Sequence, residues 1–180
     1  MVKLISNLLN NDLAPDFTDP LGLLSACHQR ILGFCDLLEK VASHINANGV
    51  DEEAEQAAKK IHRYFSTSAK LHHLDEEQDL FPLVVDHSQK ITAMIREIEQ
   101  EHVILDKSWN DLEPLLEKPT LIGKGHHFSQ QVELFCSAYR QHITKENEKI
   151  LHVIKSLLSA EQLQELGSKM QQRRQPSVSA

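Results

Sequence analysis

Cysteine is scarce in this chain: Cys27, Cys35 and Cys136 are odd in number and far apart. That argues against a disulfide framework and against a thiolate-rich zinc site, and it points to a reducing compartment. Glycine and proline are few as well, six of each. No stretch alternates apolar and polar residues between turn signals, so strands are not expected. Basic residues are outnumbered, 19 Lys and Arg against 26 Asp and Glu, leaving a formal charge of -7 and a pI of about 5.9. A nucleic-acid binder carries a basic stripe, so no nucleic-acid partner is expected. Also missing is an apolar run long enough to cross a membrane. The first ten residues hold one lysine and a short apolar patch broken by Ser6 and Asn7, which is not the pattern of a secretory signal. These absences together predict a soluble, cytoplasmic protein with no membrane partner.

What is present is helical periodicity. With 41% apolar residues in a chain of 180, there is material for one domain with a real core. Residues 1–18 read as an N-terminal arm. Asp19-Pro20 then supplies an N-cap and a first-turn proline, and Leu21, Leu24, His28, Ile31, Cys35, Leu38, Ala42 and Ile45 recur at steps of three and four. The segment around Asn46 to Gly49 stops that helix. Asp51 opens a second helix with Glu52, Glu53 and Glu55 in its first turns, where the helix dipole favours anions. Its stripe is Ile61, Phe65, Ala69, His72, Glu76, Leu80 and Leu83, with Pro82 near its end.

A third helix after Ser88 carries Ile91, Ile95, Ile98, His102, Leu105, Trp109, Leu112 and Leu116, and Pro119 ends it. The fourth shows Phe128, Val132, Phe135, Tyr139, His142, Glu146, Ile150 and Val153. Ser159 and Gln162 have capping-box spacing for a short C-terminal helix to about Met170, followed by a disordered tail. The expectation is an all-α, up-down-up-down four-helix bundle over residues 19–158, with the short helix and tail in 159–180.

Each of the four stripes holds one histidine in an otherwise apolar row: His28, His72, His102 and His142. Two of them are followed four residues later by a glutamate, His72 by Glu76 and His142 by Glu146, so each pair shares one helix face. Eleven histidines and sixteen glutamates in 180 residues give about one such pair by chance, and the chain has three, counting His73 with Glu77. Position decides the matter more than number. The two pairs on core stripes stand in corresponding places of the two halves, and a buried ionised carboxylate costs several kcal/mol unless compensated. The alternative is accidental spacing on solvated helix faces. A pair of cations bound by neutral imidazoles and bridged by Glu76 and Glu146 supplies the compensation. Four imidazoles and two carboxylates without a thiolate suit iron or manganese better than structural zinc. Six protein groups shared between two ions leave room for a bridging oxygen, oxo or hydroxo, and an open position for a small molecule such as dioxygen.

His28 in the segment from Asp19, the string His72-x3-Glu76-Glu77-x2-Leu80-Phe81-Pro82, Glu101-His102 and His142-x3-Glu146 together resemble the hemerythrin-like, HHE cation-binding domain over about residues 19–156. That resemblance implies a four-helix bundle around a non-haem di-iron centre. Its metal ligands would be His28, His72, Glu76, His102, His142 and Glu146, with both carboxylates bridging. Members bind dioxygen, sense oxygen or iron, or handle nitric oxide and related stress. The chain departs from the family in two places. Oxygen carriers have a second histidine four residues before the third-helix ligand, where this sequence has Ile98, and a glutamate often precedes the first-helix ligand, where it has Cys27. The iron-sulfur-repair relatives carry a cysteine-bearing N-terminal segment, and residues 1–18 contain no cysteine.

The expected function is binding or sensing of dioxygen or another small diatomic ligand, or iron buffering, passed on to a protein partner or a second copy of the chain. The alternative is a di-iron oxidoreductase acting on nitric oxide, peroxide or oxygen. No catalytic residue is assigned, and whether the protein is an enzyme is left open. His73 and Glu77 lie about 100° off the core stripe and read as an outer or surface pair, with contact to the metal as the lesser alternative. Asp106, four residues after His102, is a further candidate to ligate or orient it; Tyr139 reads as core, with a hydroxyl that would suit a bound oxygen species. Trp109, Cys27 and Cys35 read as apolar packing. His44, His62, His87, His126, His127 and His152 have no partner at coherent spacing and read as surface or loop residues.

Overall fold

A computed structural model describes residues 15–123 and 126–175. Helix α1 (Pro20–Asn48) starts where Gly22 N–H donates to the Asp19 carboxylate at 3.0 Å, and it ends at Gly49, whose φ of 81° suits glycine alone. The second rod runs from residue 52 to 83. It comprises α2 (Glu52–Tyr64), a π-helical turn over Phe65–Ala69, α3 (Lys70–Leu74), a second π-helical turn over Asp75–Leu80 and a 3-10 turn at Phe81–Leu83. Asp51 caps it by accepting from Ala54 N–H at 2.9 Å. Helix α4 (Gln89–Glu117) is capped by Ser88 and stops before Pro119. Helix α5 (His127–Lys145) continues through a third π-helical turn, Glu146–Leu151, into the short α6 (His152–Ile154). Helix α7 (Ala160–Arg173) opens on a complete Ser159–Gln162 capping box. Among the described residues there is no strand.

The four rods close a ring: α1 packs on α2 and α5, and α4 packs on the same two. Sequential neighbours joined by short connections make this the expected all-α, up-down-up-down bundle. Its interior is layered. One apolar cluster holds Ile31, Cys35, Phe65, Leu105, Trp109, Phe135 and Tyr139 among others; a second holds Leu24, Leu80, Phe81, Ile95, Ile98, Ile150 and Leu166. Between them sit the histidines of the four stripes: His28 stands one turn from Leu24 and from Ile31, and His102 one turn from Ile98 and from Leu105, while on the other two rods Glu76 and Glu146 fill the turn between the histidine and the second cluster. The bundle therefore carries a polar layer between two dry ones.

Helix α7 lies against α1 and the second π-helical turn. Gly167 permits the contact with the segment before α1, since a Cβ there would stand 2.0 Å from the Phe17 carbonyl oxygen. The helix also runs past Met170, into what the sequence suggested was a disordered tail. Arg173 and Arg174 hold it there, both pairing with the buried Asp75 at 2.5 Å, and Arg173 pairing with Asp79 as well. Residues 176–180, and 1–14 of the expected arm, lie outside the described residues.

Candidate metal centre

Each rod delivers its polar residues by a local device. On α1 and α4 ordinary helical pitch keeps His28 in line with Leu24 and Ile31, and His102 with Ile98 and Leu105. The second rod is different. A π-helical turn holds one residue more than an α turn, which shifts everything beyond it around the axis. With such a turn on either side of α3, a wide run faces inward: His72, His73, Asp75, Glu76, Asp79 and Leu80 are all buried. The third π-helical turn begins at Glu146 itself, one turn beyond His142.

These devices bring together all six residues read from the sequence. His28, His72, Glu76, His102, His142 and Glu146 are each at most 2% exposed. Glu76 Oε1 lies 3.5 Å from His72 Nε2 and 3.7 Å from His28 Nε2, while its Oε2 lies 3.5 Å from His102 Nε2. Glu146 Oε2 lies 3.0 Å from His28 Nε2 and 3.4 Å from His142 Nε2, and its Oε1 is 3.8 Å from His102 Nε2. Both carboxylates thus reach from one group of rings to the other. Potential ligand atoms fall into two sets, His28 with His72, Glu76 and Glu146, and His73 with His102 and His142, each within 4.8 Å.

The outer nitrogens show what the inner ones are for. His102 Nδ1 is 2.7 Å from Glu77 Oε1, and His142 Nδ1 is 3.0 Å from Glu101 Oε2. A carboxylate only accepts, so in the neutral rings both Nδ1 atoms carry the proton. The two Nε2 lone pairs then face each other at 3.2 Å. Two lone pairs so placed repel unless a cation, proton or metal, lies between them. Glu101 is itself held by Lys145, which also pairs with Glu97. His28 Nδ1 is fixed by Asn147 Oδ1 at 2.8 Å. Carboxylates and amides locking the far nitrogen are the usual support of metal-binding imidazoles.

Charge in the layer is strongly perturbed. Burial alone would keep His28 neutral, but the carboxylates of Glu146 and Glu76 close beside it prevail and push it up to about 10. His102 goes the same way, burial opposing and Glu146 and Glu77 raising it to about 10. His72 is driven well below 6.5 by burial and by His28, and burial lowers His142. Burial and the Glu146 charge lift the Glu76 carboxyl to about 7. Burial pushes Glu146 upward too, yet His102 and His28 hold it well below its ordinary range. Without metal, protons on His28 and His102 therefore face ionised Glu146.

The donors fit a cation on one further observation. His28 Nε2, both nitrogens of His72, Glu76 Oε2 and both oxygens of Glu146 have no hydrogen-bond partner although fully enclosed. Unsatisfied buried polar atoms cost about 1–3 kcal/mol each, and metal coordination would satisfy them together. An open groove of about 420 Å³ beside Ile45, Asn48, Ile122 and Phe128 shares no residue with these sets.

Other candidates sort cleanly. Glu77 is the outer partner expected of it. His73 is not at the surface: it is 5% exposed and stacked on the His102 ring, centroids 3.9 Å apart. A stripe drawn at constant α pitch misses it, and the adjacent His72-His73 pair was the available signal. Asp106 faces His73 at 4.0 Å rather than His102. Tyr139 and Trp109 belong to the first apolar cluster, and Cys27, Cys35 and Cys136 are free thiols outside both donor sets. His44 and His62 pair near the surface with Asp51 and Glu113.

The sequence profile of the hemerythrin HHE cation binding domain matches residues 19–154. An uncharacterized protein of Haemophilus influenzae is 31% identical over 159 residues, spanning 88% of this chain and 92% of its own length.

Proposed function

The chain belongs to the hemerythrin HHE cation-binding domain family, and from that premise we propose a non-haem di-iron protein that binds or senses dioxygen or a similar diatomic molecule, or buffers iron. The observation that supports this most is the layer of six buried donors with unsatisfied atoms. Two groups of imidazoles with two carboxylates reaching across both are better matched to two ions than to one. In this reading His28 and His72 would hold one ion and His102 and His142 the other, with Glu76 and Glu146 placed to serve both. Nitrogen and oxygen donors without sulfur suit iron or manganese over structural zinc.

Bound iron would supply a redox couple and an exchangeable position. The protein's own residues do the rest. Asn147, Glu77 and Glu101 hold three rings in orientation, and the dry layers above and below keep bulk water from the donors. That enclosure favours a small uncharged ligand over a charged substrate.

Expression with iron followed by metal analysis should give about two ions per chain, since binding and folding of such sites are linked. Chain free of iron after that treatment would overturn the reading. Optical spectra taken anaerobically, after air and after evacuation then separate reversible binding from sustained consumption of peroxide or nitric oxide, which would make the protein an enzyme. Glu76→Ala and Glu146→Ala should each lose both ions. Two ions retained with an unchanged spectrum would refute sharing of the carboxylates.

A further inference from the structure

The six-residue reading leaves one buried imidazole unused. His73 Nε2 is enclosed and has no hydrogen-bond partner, and its Nδ1 meets only Asp106 at 4.0 Å. The ring nonetheless lies in a crowded place. It is parallel to His102 with centroids 3.9 Å apart, and it approaches His142 edge-on at 6.0 Å. One nitrogen from each of His73, His102 and His142 falls within a common 4.8 Å. An unpaired imidazole in a dry interior is costly, and nothing in the apolar clusters makes use of it.

His28 and His72 meet edge to face at 4.7 Å, beside Glu76 and Glu146. On the other side α4 contributes His102 alone, because one turn earlier stands Ile98, fully buried in the second apolar cluster. The π-helical turns on both sides of α3 allow two adjacent residues of the second rod to face inward. His72 turns toward His28, and His73 toward His102 and His142.

We propose that His73 is a seventh metal ligand, joining His102 and His142 at the ion they would hold. The proposal rests on the di-iron reading above. One His-His dipeptide then serves both ions, His72 on the side of His28 and His73 on the side of His102 and His142.

Anaerobic titration with ferrous iron tests it. Wild-type protein should take up two ions; His73→Gln should keep the first and bind the second about 10–100-fold more weakly. His62→Gln, outside the layer, should match wild type. Adding Ile98→His to His73→Gln should restore the second ion by offering an imidazole from α4. A second measurement needs no variant. Cobalt-loaded wild-type protein should show paramagnetically shifted ring resonances from five histidines, His28, His72, His73, His102 and His142. Wild type that binds no metal overturns the di-iron reading and this proposal together. Two ions bound by wild type, with His73→Gln unchanged or with shifted resonances from four rings, overturns the role of His73 alone.

Discussion

At the residue scale, the polar layer is governed by which groups hold protons. His28 and His102 are raised from 6.5 to about 10 by the glutamates around them. A group whose pKa rises on folding stabilises the fold fully below its unfolded value and loses that contribution as pH climbs to the folded one. Metal-free protein should therefore lose stability between pH 6.5 and about 10, measurable as a falling unfolding midpoint across that window. Glu76, raised from 4.5 to about 7, acts with the same sign at lower pH. The same protons must leave when metal enters, so loading at pH 7 should release about two protons per chain. Calorimetry in two buffers of different ionisation enthalpy reads that number. A midpoint flat from pH 6.5 to 10 would contradict the protonated pair.

At the element scale, the π-helical turn at Phe65–Ala69 sets which residues of the second rod face inward. Deleting Thr67, which lies in that turn with its hydroxyl on the Arg63 carbonyl, should restore α pitch. Residues beyond it would rotate by about 100° relative to those before it. The deletion variant should keep its helical circular dichroism and lose its metal. Full metal content in that variant would show that the turn does not set the register. A constant pitch suffices to put His28, His102 and His142 on buried faces, because their rods are regular up to those residues. It also puts His72 and Glu76 on the buried face but turns His73 outward, since a π-helical turn leaves no local pattern comparable to an N-cap or a C-terminal glycine.

At the scale of the whole molecule, α7 ties the end of the chain to the rod that carries Glu76. Asp75 is fully buried and has Arg173 and Arg174 as its ion-pair partners, both 98 or more residues away in sequence. Removing both arginines would leave an enclosed carboxylate uncompensated, a change that costs about 3–5 kcal/mol. Arg173→Ala/Arg174→Ala should lower urea stability by that order, and Arg174→Ala alone by less, because Arg173 still reaches Asp75. A double variant within about 1 kcal/mol of wild type would mean the clamp contributes little beyond surface pairing.

The helices, their order and the burial of six histidines and glutamates on their inner stripes were determined by the sequence alone, because amphipathic period, caps and stops are local properties of a few consecutive residues. Membership of the cation-binding family was legible in the same places, most of all from His72 to Pro82. Tertiary structure decided the rest. It brought Glu76 and Glu146 between two groups of rings, turned His73 inward, and anchored the C-terminal helix on Asp75. Those outcomes depend on helical pitch and on charge pairs between distant residues, neither of which a spacing rule along one helix contains.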